Sequence, residues 1–359
     1  MGRKRTPGLC NRSGVWHIDK QIGGRRICQS TGTAVLEEAE RYLARIIEED
    51  RQASVYGVRP VRTFEQAAAK FVLENQHKRS LASDIGRLKQ LMPWIGSLRL
   101  DRLHIGVLQP WLVDRRGQGV AVGTINHGIK VVRRILNLAA TEWIDEYGLT
   151  WIAQAPKLRL LPDTQKRPPH PLTWEEQRRL FQALPAHLAR MALFAVNTGC
   201  RDQEICGLRW EWEVRVPELG TSLFMIPGIQ VKNQEERLVV LNRIAASVVE
   251  GLRGQHPEYV FAYRGRRMYQ MNNTGWQQAR VQVGLPQVRV HDLKHTFGRR
   301  LRAAGVSFED RQDLLGHKSG RVTTHYSAAE VGKLIEAANR VCDTDQGQPE
   351  LVVLRRINF

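Results

Sequence analysis

No apolar run in this chain approaches the roughly 20 residues that a membrane-crossing helix needs, and the mean hydropathy is -0.38. The opening stretch, MGRKRTPGLCNRSG, lacks the apolar segment of a secretory leader. Cysteine is scarce: Cys10, Cys28, Cys200, Cys206 and Cys342 are five in number, scattered, and form no C-x-x-C pair. That argues against a zinc ribbon or a disulfide framework and fits a reducing cytoplasm. No internal repeat is visible. Acids are also in short supply, with 36 Asp and Glu against 54 Lys and Arg, a net charge of +18. A folded chain with such an excess expects a polyanionic partner. Nucleic acid is favoured over a membrane surface, because no long basic amphipathic helix stands out.

What is present suggests several domains. The chain has 359 residues, 42% of them hydrophobic, enough for two or three cores. Residues 1–55 read as a small module: a basic arm with Arg3, Lys4 and Arg5, then GVWHIDKQIGGRRICQSTGT, which alternates and turns at Gly23-Gly24. A helix follows from AVLEEAERYLARIIEED, with Thr33 as its expected cap. Lys20, Arg25 and Arg26 on the small sheet are candidate DNA contacts. Residues 60–155 read as a four-helix domain. Thr63 and Gln66 form a capping box, and Ile125, Ile129, Val132, Ile135, Leu136 and Ala139 share one helix face. Lys130, Arg133 and Arg134 project elsewhere and are further candidates for DNA phosphates. Residues 156–171 are proline-rich and read as a linker. A second capping box, Thr173 and Glu176, opens a domain over 172–342, followed by a tail at 343–359. The fold class expected is multidomain, mainly α, with small antiparallel sheets.

Four segments of the last domain carry the chemistry. In NTGCRDQEICGLRW, Thr198-Gly199 ends one helix and another begins near Arg201, whose planar fork matches phosphate oxygens. A helix N-terminus there also favours an anion, and Glu204, one turn on, is placed to hold the guanidinium. In SLFMIPGIQVKNQEERLVVLN, strand-like FMI, IQV and LVVL flank a polar turn with Lys232 at its mouth. In VRVHDLKHTFGRRLRAAG, helical spacing groups His291, Lys294 and His295. The two histidines raise a zinc reading and a phosphate reading. Zinc helices of the H-E-x-x-H type need Glu where Asp292 stands, and no third ligand is obvious. In SFEDRQDLLGHKSGRVTTHYSAAEV, Ser307 resembles a cap, Gly316 a helix end, and His317 and Tyr326 follow in polar surroundings.

Taken in order, T-G-x-R-x-x-E-x-x-x-L-x-W, a hairpin lysine, H-x-L-[RK]-H-T, L-L-G-H and H-Y resemble the catalytic domain of tyrosine recombinases, the phage-integrase family, of the type used by phages and mobile elements. The helical segment is similar to that family's core-binding domain, and the N-terminal module more loosely resembles its arm-binding modules. The resemblance implies site-specific DNA recombination without metal, ATP or other cofactor. Tyr326 would attack a backbone phosphate and form a 3′-phosphotyrosyl link. Arg201 would clamp the phosphate, Lys232 act as general acid, His291 assist proton transfer, and His317 donate to a phosphate oxygen. Glu204 and His295 would support them. Lys294 departs from the family, which usually has Arg there; Lys keeps the charge and loses the bidentate fork. The implied partners are double-stranded DNA and a homotetramer on that DNA, with DNA-bending or directionality factors as further candidates and no membrane. The implied location is the cytoplasm of a bacterium or phage-infected host, at the nucleoid. The competing readings are a catalytically weak DNA-binding or accessory protein of the same fold, a Xer-type resolvase and a type IB topoisomerase-like enzyme.

Overall fold

The computed structural model describes residues 6–164, 167–231, 234–316 and 327–342. The chain divides into two units, 1–166 and 167–359, and the division falls inside the proline-rich stretch. Among the described residues no helix is long and apolar enough to cross a membrane. The fold is mainly helical, with small antiparallel sheets.

The first unit opens with an antiparallel sheet of β1 (Leu9–Arg12), β2 (Val15–Ile22) and β3 (Arg25–Ser30). Ile22 pairs with Arg25 across Gly23 and Gly24, both at positive φ (56° and 79°). That is the two-residue loop whose twist suits a hairpin. Leu9, Ile18 and Ile22 pack on Ala39 and Leu43 of α1 (Leu36–Tyr56). Thr33 does not cap that helix as expected. Its N-cap is Val35, with no side-chain cap, while the Thr33 hydroxyl accepts from the Val35 amide at 3.1 Å. The helix starts two residues later because Thr33 closes a local turn instead.

Four helices follow: α2 (Phe64–Glu74), α3 (Leu81–Ile95), α4 (Gln109–Gly117) and α5 (Val122–Thr141). Both halves of the Thr63–Gln66 capping box form, a feature worth about 1 kcal/mol. The apolar stripe of α5 is buried against Phe64, Phe71, Leu91, Ile95 and Trp111. Leu158 is buried in the same core, and the Asn126 side chain bonds both backbone groups of Leu161, so the start of the proline-rich stretch belongs to this bundle. The sheet module and the bundle lie within the same compact unit. Arg25 of β3 pairs with Asp50 at 2.7 Å and Glu146 at 3.3 Å, and the Tyr147 hydroxyl donates to Asp50 at 2.9 Å.

The second unit begins with α6 (Trp174–Ala183), whose Thr173–Glu176 capping box is complete. Then come α7 (Ala186–Thr198) and the short α8 (Asp202–Cys206). A sheet in the order β4 (Glu213–Val216), β5 (Thr221–Ile226), β6 (Arg237–Val239) follows. IQV is not a strand: Gly228–Gln230 is a 3-10 turn behind Pro227. Proline withholds a ladder donor there, and β4 supplies the third strand. Beyond lie α9 (Arg243–Glu250), the small hairpin β7 (Ala262–Tyr263) and β8 (Arg266–Arg267), α10 (Thr274–Gln282), α11 (Val290–Ala303), α12 (Phe308–Leu315) and α13 (Ala328–Asn339). One face of α11 packs on α7. Phe194, Trp276 and Leu293 sit in one core, and Phe297 and Leu301 sit in a second with Leu334 of α13.

Candidate active site

The site is built where α7 stops. Apolar α7 ends at Gly199, which takes the left-handed φ of +62° favoured at helix ends. Two residues on, Arg201 is the N-cap of α8. Its amide donates to Glu204 Oε2 at 2.8 Å and its guanidinium to Glu204 Oε1 at 2.6 Å. The anion expected at this helix start is therefore the chain's own Glu204. The Arg201 fork also reaches the Gly316 carbonyl, at 3.5 Å. Glu204 is only 4% exposed. Burial pushes its carboxyl up, but Arg237 and then the Arg201 amide and guanidinium outweigh that and hold it below the usual carboxylate range.

Helix α11 carries the next group. Its N-terminus is fixed by Asp292, which accepts from the Arg289 amide at 2.8 Å, the His170 amide at 3.0 Å and the Arg167 guanidinium at 2.6 Å. Asp292 is thus a buried capping residue, which gives the position after His291 a structural task. The first two turns then place His291, Lys294 and His295 together, the imidazoles edge to face with centroids 4.8 Å apart. Among the described residues no third His, Cys, Asp or Glu joins them. Burial, then His295, Lys294 and Arg201, lower the His291 pKa against the pull of Asp292, which favours the neutral imidazole, the form able to accept a proton.

Lys294 is 5% exposed. Its ammonium donates to the Gly199 carbonyl at 2.8 Å and to the Leu315 carbonyl. Burial first, then the Arg237 and Arg201 charges, bring its pKa down to about 7, with Glu204 and Cys200 pulling the other way. An ammonium has three donors, so with two on carbonyls one remains for a ligand.

Arg201, His291, Lys294 and His295 line one cleft of about 750 Å³. Pro168, Pro169 and Pro171 form part of its wall. Arg299, Arg302 and Arg311 also line it; these were not singled out in the sequence, although the run GRRLR was a signal for the first two. The other unanticipated side chain is Arg237, 2% exposed at the start of β6. Its Nε lies 3.3 Å from Glu204 Oε2, and its fork donates to the carbonyls of Leu315 (2.6 Å), Gly199 (3.3 Å), Thr198 (3.4 Å) and Leu314 (3.4 Å). The signal was a charge at the head of the apolar run LVVL.

Of the other expected site residues, Lys232, His317 and Tyr326 lie outside the described residues, as do Arg3, Lys4, Arg5 and the tail from 343. In the first unit, Lys130, Arg133 and Arg134 are exposed on α5, away from its buried stripe. Arg26 is exposed but paired with Asp19, and Lys20 is half-buried. Arg25 is engaged internally by Asp50, Glu146 and the Tyr147 ring.

Residues 171–332, the span holding this cleft, match the phage integrase family. The integrase of Salmonella phage P22 is 24% identical across 93% of this chain and 94% of its own length. The tyrosine recombinase XerC of Rhodospirillum centenum is 26% identical across 86% of each chain. Residues 171–332 belong to the phage integrase family of tyrosine recombinases. The fold agrees with that membership. A lambda integrase tetramer bound to a Holliday junction superposes with a TM-score of 0.55 at 16% identity, covering 91% of this recombinase and 99% of the lambda chain. The Tn1549 transposon integrase in complex with transposon right end DNA gives 0.52 at 17% identity, over 77% and 99%.

Proposed function

We propose that this tyrosine recombinase carries out site-specific recombination of double-stranded DNA by two transesterifications at the cleft around Arg201. The Tyr326 hydroxyl attacks the phosphorus of a backbone phosphate, and the bond to the 5′-oxygen breaks. Lys232 protonates that leaving oxygen, so a 3′-phosphotyrosyl link and a free 5′-hydroxyl result. The 5′-hydroxyl of a partner strand then attacks the link and releases Tyr326. The bond energy stays in the phosphodiester throughout, so no ATP enters.

A tyrosine hydroxyl ionises near pH 10, so the attack needs a nearby acceptor. His291, whose surroundings favour the neutral imidazole, assists that proton transfer. The phosphorane carries extra negative charge, which cations at its non-bridging oxygens stabilise. Arg201 supplies a fork held by Glu204, His317 a second donor, and Lys294 a single ammonium hydrogen. His295 packs edge-on against His291 and supports its orientation. The assembly is a homotetramer holding two duplexes in the cytoplasm of a bacterial host, with DNA-bending or directionality factors as added partners. Lys20, Arg26, Lys130, Arg133 and Arg134 are assigned to the DNA backbone, and the basic arm at Arg3, Lys4 and Arg5 to an accessory DNA site.

The observation that carries this reading is the convergence of Arg201, His291 and Lys294 on one cleft, with the carboxylate of Glu204 buried behind Arg201. A second reading, a DNA-binding protein of the same fold with weak chemistry, is favoured by one fact: Lys294 donates to two carbonyls. Covalent trapping separates the two. The protein is incubated with nicked duplex carrying a site from the ends of its genetic element, and a denaturant-resistant adduct is sought. An adduct absent only in Tyr326→Phe supports recombination; tight binding without an adduct supports the second reading.

A further inference from the structure

Arg237 is a buried cation that the mechanism above does not use. It is the first residue of β6, five positions after Lys232 in the sequence. Its side chain is 1% exposed. A buried guanidinium is costly unless its donors are met, and an apolar side chain of similar volume is often as stabilising. Its contacts are specific. One fork spans the last carbonyls of two helices, Thr198 and its following Gly199 at the end of α7 and Leu314 and Leu315 at the end of α12. Both are negative ends of helix dipoles, where a cation is favoured. Its third nitrogen faces Glu204, the residue that holds Arg201.

Two further facts link Arg237 to the cleft. Lys294 donates to two of the same carbonyls, Gly199 and Leu315. Gly316, the glycine of L-L-G-H, sits at φ +56°, and a Cβ added there would overlap the Arg237 guanidinium. The turn at Gly316 is thus shaped around Arg237 as well as by its own backbone. Arg201, Lys294 and Gly316 come from three separate elements, and Arg237 touches Glu204, which holds Arg201, the two carbonyls that hold Lys294, and the space beside Gly316.

We propose that Arg237 is a positioning residue for DNA cleavage: it holds Glu204, the Gly199 turn and the Leu315–Gly316 turn in one arrangement, so that the phosphate-binding groups Arg201 at the start of α8 and Lys294 on α11 converge. This rests on the function proposed above. Arg237 itself does not contact the phosphate. Its removal leaves the DNA-binding surface in place and loosens the clamp on the non-bridging oxygens.

The test uses the full chain, with Arg237→Met and Arg237→Lys beside wild type and Tyr326→Phe. Binding to the site duplex, thermal melting and single-turnover adduct formation on nicked duplex are measured. The nicked duplex is made with either a natural scissile phosphate or a methylphosphonate, which lacks one charged oxygen. Wild-type adduct that is lost in Tyr326→Phe establishes the parent reading in the same experiment. Arg237→Met is expected to bind the duplex as wild type does and to form adduct about 10- to 100-fold more slowly on phosphate. The deficit shrinks on methylphosphonate, where less charge must be held. Arg237→Lys, which keeps the charge and loses the fork, recovers part of the rate. Should the Met variant fail to fold, a folded Arg237→Lys still shows a deficit that is larger on phosphate than on methylphosphonate. Equal deficits on both substrates, or wild-type rates in a folded variant, overturn the proposal.

Discussion

Lys294 should give this recombinase an alkaline limit that an arginine in its place removes. In the DNA-free protein its amine titrates at about 7 instead of near 10.4. Arg201 and Glu204 face it from α8 and its cap, Cys200 from the preceding turn and Arg237 from β6. His291, Asp292 and His295 are its neighbours on α11, and Arg311 of α12 lines the same cleft. The sign follows from the lowered value: the charged form is present below pH 7 and is lost as pH rises through it. At pH 8, one unit above, roughly nine in ten DNA-free molecules carry a neutral amine. The rate at subsaturating DNA reports the free protein. It should therefore fall up to about tenfold per pH unit above 7. Lys294→Arg keeps its charge throughout, so the ratio of variant to wild type should climb by about that factor per unit between pH 7.5 and 9. Saturating DNA brings phosphate charge beside the amine, raises its pKa and moves the fall upward. The assay is single-turnover adduct formation on nicked duplex from pH 6 to 9 at fixed ionic strength. Parallel profiles for the two proteins, at low DNA as well as high, would refute the reasoning.

Two stability predictions accompany it. Gly316→Ala forces an L side chain to φ +56° and into the Arg237 guanidinium, so it should cost on the order of 3 kcal/mol, read as a lowered melting temperature together with loss of adduct. Asp292→Asn removes the charge that meets Arg167 and the start of α11, a loss of about 3 kcal/mol, or roughly 6–12 °C in melting temperature for a unit of this size. Burial pushes the Asp292 carboxyl up, but the His170 amide, Arg167 and the Arg289 amide outweigh it and hold its pKa below the ordinary value. Its contribution is therefore complete above about pH 4 and lost as pH falls through the lowered value, so the melting temperatures of variant and wild type should converge in acid. A constant gap down to pH 2 would show that the charge of Asp292 is not what stabilises α11.

Much of this protein was legible in the chain because the signals are local. The capping boxes at Thr63 and Thr173, the helix end at Gly199, the cap at Ser307 and the Gly23-Gly24 turn each involve residues within one turn of each other, and each formed. The apolar stripe of α5 was readable for the same reason. The order of the boxes from Thr198 to Tyr326 was enough to name the family, since box order is a property of the sequence itself. Local misreadings had local causes too: Pro227 denied IQV its ladder, and Thr33 closed a turn ahead of its helix.

The electrostatics of the cleft were decided only by the tertiary structure. In the sequence Lys294 reads as a free cation two residues from Asp292. In the fold its ammonium meets a carbonyl 95 residues earlier and another 21 residues later, and Asp292 faces Arg167 and His170 instead. Arg237 reads as one charge beside an apolar strand, yet its fork joins turns 38 and 78 residues away. Burial and charge proximity act through space, and helix packing brings Gly199 and Leu315 to the same ammonium. The chain alone thus nominated residues for the chemistry through their types and order. The fold determined which of them share a desolvated volume, and so which proton leaves near neutral pH.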